Sequence, residues 1–445
     1  MLKSLYSRPL LLLLSTLIAA TACDSSAGPQ SDSAIDVPEL LDRSEAIRNG
    51  SEWDRVQNLY VEARENLRED ALDVDAYTQL ARVYILEARV TGEHGHYYPA
   101  ALDVLERAAA LPGLSPDQQY QVLTMLASVQ LSQHDFADAL QTSQRAIKLN
   151  PYAAVGYGAL VDSYVELGDY ERAVSAADKM VQVKPDLRSY ARVSYLREIH
   201  GEVDASLEAM RLALDAGVPG TEETAWVRLT LGDILRTYGR LDEAEDQYEL
   251  ALEERPGYPF ATAALADLAA ERGELDRAEE LLDEAIAAIP EVGFYEQLAH
   301  VYRGTGRDAE ADDIVAEVLA MLADDVEHGH NMNLEYADAH VNLTGDYDAA
   351  LEFALREYDK RPDNIDVNRV LAGIYYLRGE YEDAADHLER ASVTDSRHPE
   401  LQLIDGLVAI ARGDEARGRE AVASARRLQP NPSPALAAAL ERVDG

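Results

Sequence analysis

Residues 231–256 read LGDILRTYGRLDEAEDQYELALEERP, and this stretch decides the fold. The stretch begins with apolar residues that are followed by Gly239. Ala244 and Tyr248 then follow at helical spacing, and Pro256 ends the stretch. Glycine tolerates the left-handed conformation that ends a helix, and proline cannot continue one. The stretch therefore predicts two short helices joined by a tight turn.

The same pattern returns along the chain with a period of 34 residues. Pro151 and Pro185 are 34 residues apart, as are Pro256 and Pro290. Small residues on the second helices keep the same interval, Ala139 with Ala173 and Ala244 with Ala278. A fixed period of this length is typical of stacked helical repeats.

Because these landmarks recur together and in order, the chain resembles the tetratricopeptide-repeat family. The resemblance implies an all-α fold, an α-solenoid of about ten helix-turn-helix repeats wound into a right-handed superhelix with a concave groove. Residues 38–70 are predicted to be a degenerate leading copy and residues 434–443 a capping helix, so that the solenoid spans 38–445. We place the copies at 74–116, 120–153, 154–186, 187–222, 225–258, 259–291, 292–330, 331–364, 365–398 and 399–431.

The N-terminus has the features of a secretion signal. In residues 1–22, Lys3 and Arg8 precede an apolar run that is too short to span a bilayer. Small residues then precede Cys23, the only cysteine, and here the sequence resembles a bacterial lipoprotein signal. The alternative is an ordinary signal peptide followed by an incidental cysteine. Residues 23–37 are polar and predict a flexible tether. We expect a bacterial envelope protein, lipidated at Cys23, anchored to a membrane and facing the periplasm or the exterior.

The composition is strongly acidic. There are 82 Asp and Glu residues against 40 Lys and Arg, a net charge of −42. Such a chain repels nucleic acid phosphates, so we expect no nucleic acid partner. Only five of the basic residues are lysine, and an acidic, lysine-poor surface also resembles that of proteins from salty environments.

No sequence motif points to catalysis. The chain has no phosphate-binding loop ending in Lys-Ser/Thr, no Gly-x-Ser-x-Gly elbow and no His-Glu-x-x-His helix. Its many carboxylate pairs are typical of solvated helix faces. We therefore predict a protein that is not an enzyme and needs no cofactor.

The family resemblance also implies which residues form a partner-binding groove, because positions spaced three and four apart on the first helices face the concave side. Aromatic side chains beside charged ones suit peptide recognition. The alternative is that Trp226 and Phe260 only pack between adjacent copies. The predicted groove residues are Arg188, Tyr195, Glu198, Trp226, Leu229, Asp233, Arg236, Phe260, Asp267, Arg369 and Tyr376.

One other motif occurs twice, where two copies contain extra residues, 89–98 and 321–330. Glu-His-Gly-His at residues 93–96 returns at residues 327–330. Two histidines in a loop could bind a divalent metal, without the two loops sharing one ion. Alternatively, histidine and glycine are simply tolerated in loops. The candidate metal ligands are His94, His96, His328 and His330.

The sequence thus predicts a non-catalytic, lipid-anchored, exported scaffold that binds proteins or peptides in its groove. An envelope protein that binds metal or a small ligand through the His-Gly-His loops is the alternative. The sequence does not identify the partner.

Overall fold

The computed structural model describes residues 37–429 and 432–444. The predicted signal peptide, Cys23 and nearly all of the predicted tether lie outside the described residues. Within these ranges the chain forms helices and no strand, which confirms the all-α fold. No helix of this part is long and apolar enough to cross a membrane. The helices are α1 (Gly50–Glu69), α2 (Val74–Thr91), α3 (His94–Ala110), α4 (Pro116–Ser132), α5 (Phe136–Leu149), α6 (Ala154–Glu166), α7 (Tyr170–Val183), α8 (Leu187–Ile199), α9 (Val203–Asp215), α10 (Glu222–Thr237), α11 (Leu241–Glu254), α12 (Pro259–Glu271), α13 (Leu275–Ala288), α14 (Val292–Gly304), α15 (Asp308–Glu327), α16 (Asn333–Ala339, continued by a π-helical turn, His340–Thr344), α17 (Tyr347–Tyr358), α18 (Ile365–Arg378), α19 (Tyr381–Ala391), α20 (Pro399–Ala411), α21 (Glu415–Leu428) and α22 (Pro434–Asp444).

From α2 to α21 the helices pair as hairpins, α2 with α3 through α20 with α21. Each pair occupies one of the ten predicted copies, with boundaries that differ by a few residues. First helices of neighbouring copies, such as α6 and α8, contact one another, whereas the second helices do not approach each other as closely. The inner layer of a curved stack is the more crowded one, so the first helices line the concave side.

The copy at residues 222–254 shows why these residues form a hairpin. Gly239, just after α10, has a φ of +76°, a left-handed conformation that ends the helix. A Cβ atom at Gly232 would lie 2.3 Å from the ring of Tyr248, so only glycine allows α11 to pack this closely on α10. Ala244 and Tyr248 are fully buried in the resulting contact. The predicted landmarks are therefore packing positions.

Successive turns of the array touch each other. The backbone N–H of Ile365 donates to the hydroxyl of Tyr170 at 2.8 Å, across 195 residues of sequence. One copy further towards the N-terminus, the N–H of Asn331 donates to the carbonyl oxygen of Gln133 at 3.2 Å. At 34 residues per copy, a separation of 195 residues means that nearly six copies complete one turn. The repeat pattern alone does not predict this contact.

The leading segment, residues 38–70, differs from the predicted copy because it contains a single helix, α1, after non-helical chain. A group of charged residues connects it to the repeats. The fully buried guanidinium of Arg43 donates to Glu87 of α2 at 2.8 Å and to Glu52 of α1 at 2.7 Å. Glu52 also accepts from Arg255, after α11, at 2.9 Å. We call these four residues the N-terminal charge network, and it joins the leading segment to the first and fifth copies.

The two predicted insertions are not open loops. In residues 89–98, α2 ends at Thr91 and α3 already begins at His94. In residues 321–330, the extra length prolongs α15 to 20 residues, whereas α13 has 14. The added residues therefore lengthen helices, and α15 comes into contact with α3 from the neighbouring turn.

At the other end, α22 packs against α20. Leu436 and Leu440 of α22 are buried in one cluster with Leu403 of α20. This helix covers apolar surface that the last pair would otherwise expose.

Candidate partner-binding surface

We call the surface lined by the first helices the inner surface. All of the predicted groove residues lie on first helices, on α8, α10, α12 and α18. Among these predicted groove residues, Trp226 and Tyr195 are the most exposed aromatic ones, with 46% and 38% of their surface accessible. Arg188 is also exposed, and the others are partly buried. The set therefore contains both accessible and packed positions.

The predicted groove arginines are bound to carboxylates of the next copy. Arg236 of α10 contacts Asp267 of α12 at 2.9 Å and also Glu271 at 3.2 Å. Arg369 of α18 contacts Glu400 of α20 at 2.7 Å. Arg188 forms a similar ion pair with Glu223, at the start of α10. These arginines connect adjacent first helices and so are not free anchors for a partner, a role that the sequence pattern did not reveal.

The apolar groove residues fall into two groups. Phe260 packs edge-on against Phe294 with ring centroids 5.6 Å apart, and Leu229 lies against the core between copies. Tyr376 packs near Tyr381, with ring centroids 5.8 Å apart. Trp226, in contrast, leaves nearly half of its surface accessible. Exposed indole surface on a concave face is typical of a binding position, because burying it in a partner removes a large apolar area from water.

Two groove carboxyls are shifted towards the protonated form. Burial raises the pKa of Glu198 to about 7, and the nearby charge of Asp366 adds to this effect. Burial also raises the pKa of Asp233 to about 6, although the hydroxyl of Tyr248 donates to it at 2.8 Å. The inner surface is therefore less negative near neutral pH than its carboxyl groups suggest.

A cavity of about 1280 Å³ opens on the inner surface of the seventh to ninth copies. First-helix residues from α14, α16 and α18 form one wall, including the predicted groove residue Arg369. The start of α3 and the end of α15 form the opposite wall. We call this space the acidic cavity, because most of its charged lining residues are carboxylates. They are Glu93, Asp103, Glu291, Glu296, Glu317, Asp324, Asp325, Glu335, Asp338 and Asp366.

Both His-Gly-His motifs line the acidic cavity. The rings of His94 and His330 lie 6.4 Å apart, centroid to centroid. The ring nitrogens of the other two histidines approach backbone oxygens, His96 Nε2 at 2.8 Å from Glu39 and His328 Nδ1 at 2.8 Å from Asp324. No group of three or more His, Cys, Asp or Glu side chains in the described ranges is arranged to hold a metal ion. Metal binding at these histidines stays a prediction.

Carboxyl groups in the acidic cavity resist ionisation. Burial raises the pKa of Glu296 to about 8, and repulsion by Asp338 and Glu335 increases the shift. Burial and the charge of Asp325 raise the pKa of Glu291 to about 7. Ionising these groups together costs free energy because like charges in a poorly solvated space repel one another. A positively charged ligand would remove that cost.

Sequence reasoning missed that the first and seventh copies meet. The signal that could have revealed it was the return of Glu-His-Gly-His at both copies with extra residues. A Cβ atom at Gly95 would lie 3.1 Å from the ring of His328, so the two motifs pack directly on each other. The two similar motifs therefore lie at one contact between turns.

Comparisons with known proteins agree with the repeat architecture. Three family models, each described as tetratricopeptide repeat, match residues 154–187, 225–292 and 369–400. We conclude that these three parts of the chain are tetratricopeptide repeats. No curated protein matches it.

Several solved structures are similar to parts of this chain. TTC0263, a thermophilic tetratricopeptide-repeat protein of Thermus thermophilus, is 26% identical with a TM-score of 0.36, covering 41% of this chain and 96% of its own. The Cut9–Hcn1 hetero-tetramer of the APC/C gives 13% identity, a TM-score of 0.44 and coverage of 85% and 60%. PilW, a type IV pilus biogenesis factor, is 18% identical with a TM-score of 0.38, covering 45% of this chain and 92% of its own.

Proposed function

We propose that the chain is an exported, lipid-anchored scaffold that binds proteins or peptides on its inner surface and catalyses no reaction itself. The observation that carries the proposal is the accessibility of Trp226 and Tyr195 on a concave face built from stacked repeats. Aromatic side chains of this kind dominate the energetics of many protein interfaces. The anchoring part rests on the sequence around Cys23.

Replacing Cys23 with Ser tests the anchor. The variant loses the thiol that would be acylated, so we expect it to move from the membrane fraction to the soluble exported fraction. Ser25→Ala, two residues away, is the matched control and should stay in the membrane fraction. Membrane retention of Cys23→Ser would contradict the lipoprotein proposal.

Replacing Trp226 and Tyr195 together with Ala tests the inner surface. Arg236 is left intact because its loss would leave Asp267 and Glu271 without their cation and confound the measurement. A partner is captured from native membranes by cross-linking, purified and titrated against the variants. We expect the double variant to bind at least tenfold more weakly, since truncating one anchor residue commonly costs ~2 kcal/mol.

The control is Tyr152→Ala, because Tyr152 lies in the turn before α6 and is 83% exposed. It removes an aromatic side chain outside the inner surface and should leave affinity unchanged. Thermal melts separate binding from folding. Affinity retained by the double variant alongside a lowered melting temperature would assign Trp226 and Tyr195 to packing and contradict the proposal.

A further inference from the structure

Successive turns of the array meet through a contact that recurs from copy to copy. The turn between the two helices of an early copy lies on the turn that joins two later copies. A Cβ atom at Gly168, in the third hairpin, would lie 2.5 Å from the backbone carbonyl of Asp363, between the eighth and ninth copies. A Cβ atom at Gly201, in the fourth hairpin, would lie 2.5 Å from the carbonyl oxygen of Asp395, between the ninth and tenth copies. The molecule therefore packs the same kind of turn on the same kind of turn more than once.

Ion pairs accompany this contact between turns. Arg361 precedes the proline of its inter-copy turn and pairs with Glu166, which ends α6 just before the third hairpin turn. Arg255 precedes the proline of another inter-copy turn and donates to Glu52 of the leading segment at 2.9 Å. A basic residue at this position thus binds a carboxylate of the segment that lies on its turn.

The hairpin turns of the sixth to tenth copies are uncovered by the described chain. Their glycines are exposed, and a Cβ atom at four of them would have nothing from the described residues within 4 Å, while at the fifth it would only meet a hydroxyl at 4.0 Å. Tyr381, the first residue of α19, is 38% exposed, whereas Tyr170, in the same position on α7, is 8% exposed. We call these five turns the hairpin edge, and their glycines are Gly273, Gly306, Gly345, Gly379 and Gly413.

The turns that join the first five copies form a second edge. The two most exposed large apolar side chains of the described residues lie on it, Tyr152 at 83% and Val218 at 65%. Tyr152 follows the proline of its turn, the position that Asp363 occupies against Gly168. Lys184 precedes the proline of its turn, as Arg361 does, and its side chain is 69% exposed. We call these turns the inter-copy edge, and they are residues 111–115, 150–153, 184–186 and 216–221.

We propose that a second molecule of this chain docks its inter-copy edge on the hairpin edge of the first, so that the superhelix continues head to tail. Each edge is one half of a contact that the molecule already makes within itself. In the second molecule, Tyr152 and Lys184 take the places that Asp363 and Arg361 have in the internal contact. Because the two edges differ, the contact is heterologous and further molecules can add. This inference goes beyond the proposed function, since the inner surface stays open to a partner.

Analytical ultracentrifugation tests the self-association. The full chain is used with Cys23→Ser, which removes the expected lipid site and the need for detergent. The net charge of −42 opposes association, so the measurement is made at about 1 M salt, where the Debye length is about 3 Å. We expect the sedimentation coefficient to rise with protein concentration and to pass beyond that of a dimer.

Two variants each block one edge. The hairpin-edge variant carries Gly306→Asn and Gly345→Asn, since asparagine tolerates the left-handed conformation of these residues, with φ of +75° and +69°. Its new side chains project where the second molecule would pack. The inter-copy-edge variant carries Tyr152→Ser and Val218→Ser. We expect each variant to associate with itself at least tenfold more weakly than the unmodified chain.

An equimolar mixture of the two variants should form a one-to-one dimer, because each molecule supplies the edge that the other has lost. This result identifies a head-to-tail contact. In a two-fold symmetric dimer the same patch is used on both molecules, so a variant with that patch intact would associate alone and mixing would restore nothing.

The matched control is Leu212→Ser with Leu250→Ser, two exposed apolar residues on the second helices α9 and α11. It should associate as the unmodified chain does. Gly168→Asn should lower the melting temperature, because its turn is covered, whereas Gly345→Asn should not. Tyr381→Ser is a second hairpin-edge variant that keeps every glycine, and it is used if the asparagine variant folds poorly by circular dichroism.

A monomeric unmodified chain over the whole concentration range would overturn the inference. So would an edge variant that associates as tightly as the control, or a mixture of the two edge variants that stays monomeric. Equal melting temperatures for Gly168→Asn and Gly345→Asn would show that the turns do not meet as described, and the inference would lose its basis.

Discussion

Replacing Glu52 with Gln tests the N-terminal charge network at its centre. Burial alone would raise the pKa of Glu52, but the hydrogen bonds from Arg255 and Arg43 outweigh burial and lower the pKa from 4.5 to about 2. At about 1.4 kcal/mol for each pH unit, that difference corresponds to a contribution of about 3 kcal/mol to folding at pH 7. The side chain of Glu52 is 17% exposed, so solvent screening reduces this value only partly.

The contribution has a definite pH window. Because the folded-state pKa is depressed, the stabilisation is fully present above pH 4.5 and is lost as the pH falls towards 2. Urea titrations followed by circular dichroism at several pH values give the free energy of unfolding of both proteins. We expect Glu52→Gln to lose about 3 kcal/mol at pH 7 and to approach the wild type as the pH falls through this window.

Glu65→Gln is the control, since Glu65 is exposed on the same helix. Substitutions at such positions usually change stability by less than about 0.5 kcal/mol. If Glu52→Gln is no less stable than Glu65→Gln at pH 7, or if their difference does not depend on pH between 4.5 and 2, the network does not hold the leading segment as described.

Two further predictions concern stability. Gly232→Ala should lower the free energy of unfolding by ~1–3 kcal/mol, because its Cβ would lie 2.3 Å from the Tyr248 ring. Gly50→Ala is the control, because a Cβ there has nothing within 4 Å and should leave the free energy of unfolding unchanged. Equal melting temperatures for the two variants would contradict the close packing. Glu296→Gln should stabilise the protein by ~1–3 kcal/mol at pH 9 and little at pH 5, because a raised folded-state pKa means that stability falls as the pH rises from 4.5 through 8. Glu249→Gln is its control in urea titrations, and a loss of stability at pH 9 on replacing Glu296 would refute this account.

The fold could be predicted from the sequence because each landmark has a local cause. Gly239 ends a helix through its own φ, and Ala244 and Tyr248 pack within one hairpin. Such causes act over a few residues and repeat at a fixed interval. The attachment of the leading segment could not be predicted in this way, because Arg43 joins Glu52 of its own helix α1 to Glu87 of the first copy.

The candidate site was less predictable for a related reason. The register of the first helices predicts that Trp226 and Tyr195 face the inner surface, and both side chains are exposed. The same register could not show that Arg236 binds carboxylates of the next copy, since an ion pair depends on side-chain reach. It also could not show that His94 lies near His330, because that contact depends on how many copies complete one turn of the superhelix.

The touching turns have a consequence for how this chain tolerates change in length. In an open solenoid each repeat interacts only with its neighbours, so a whole copy can be added or removed with a local effect. Here Tyr170 is paired with Ile365 and Gln133 with Asn331, at a spacing close to 195 residues. Deleting one copy between them would shift every such pair out of register at once. The number of copies in each turn is therefore fixed by geometry, and insertions are compatible with the fold only where they leave that spacing unchanged.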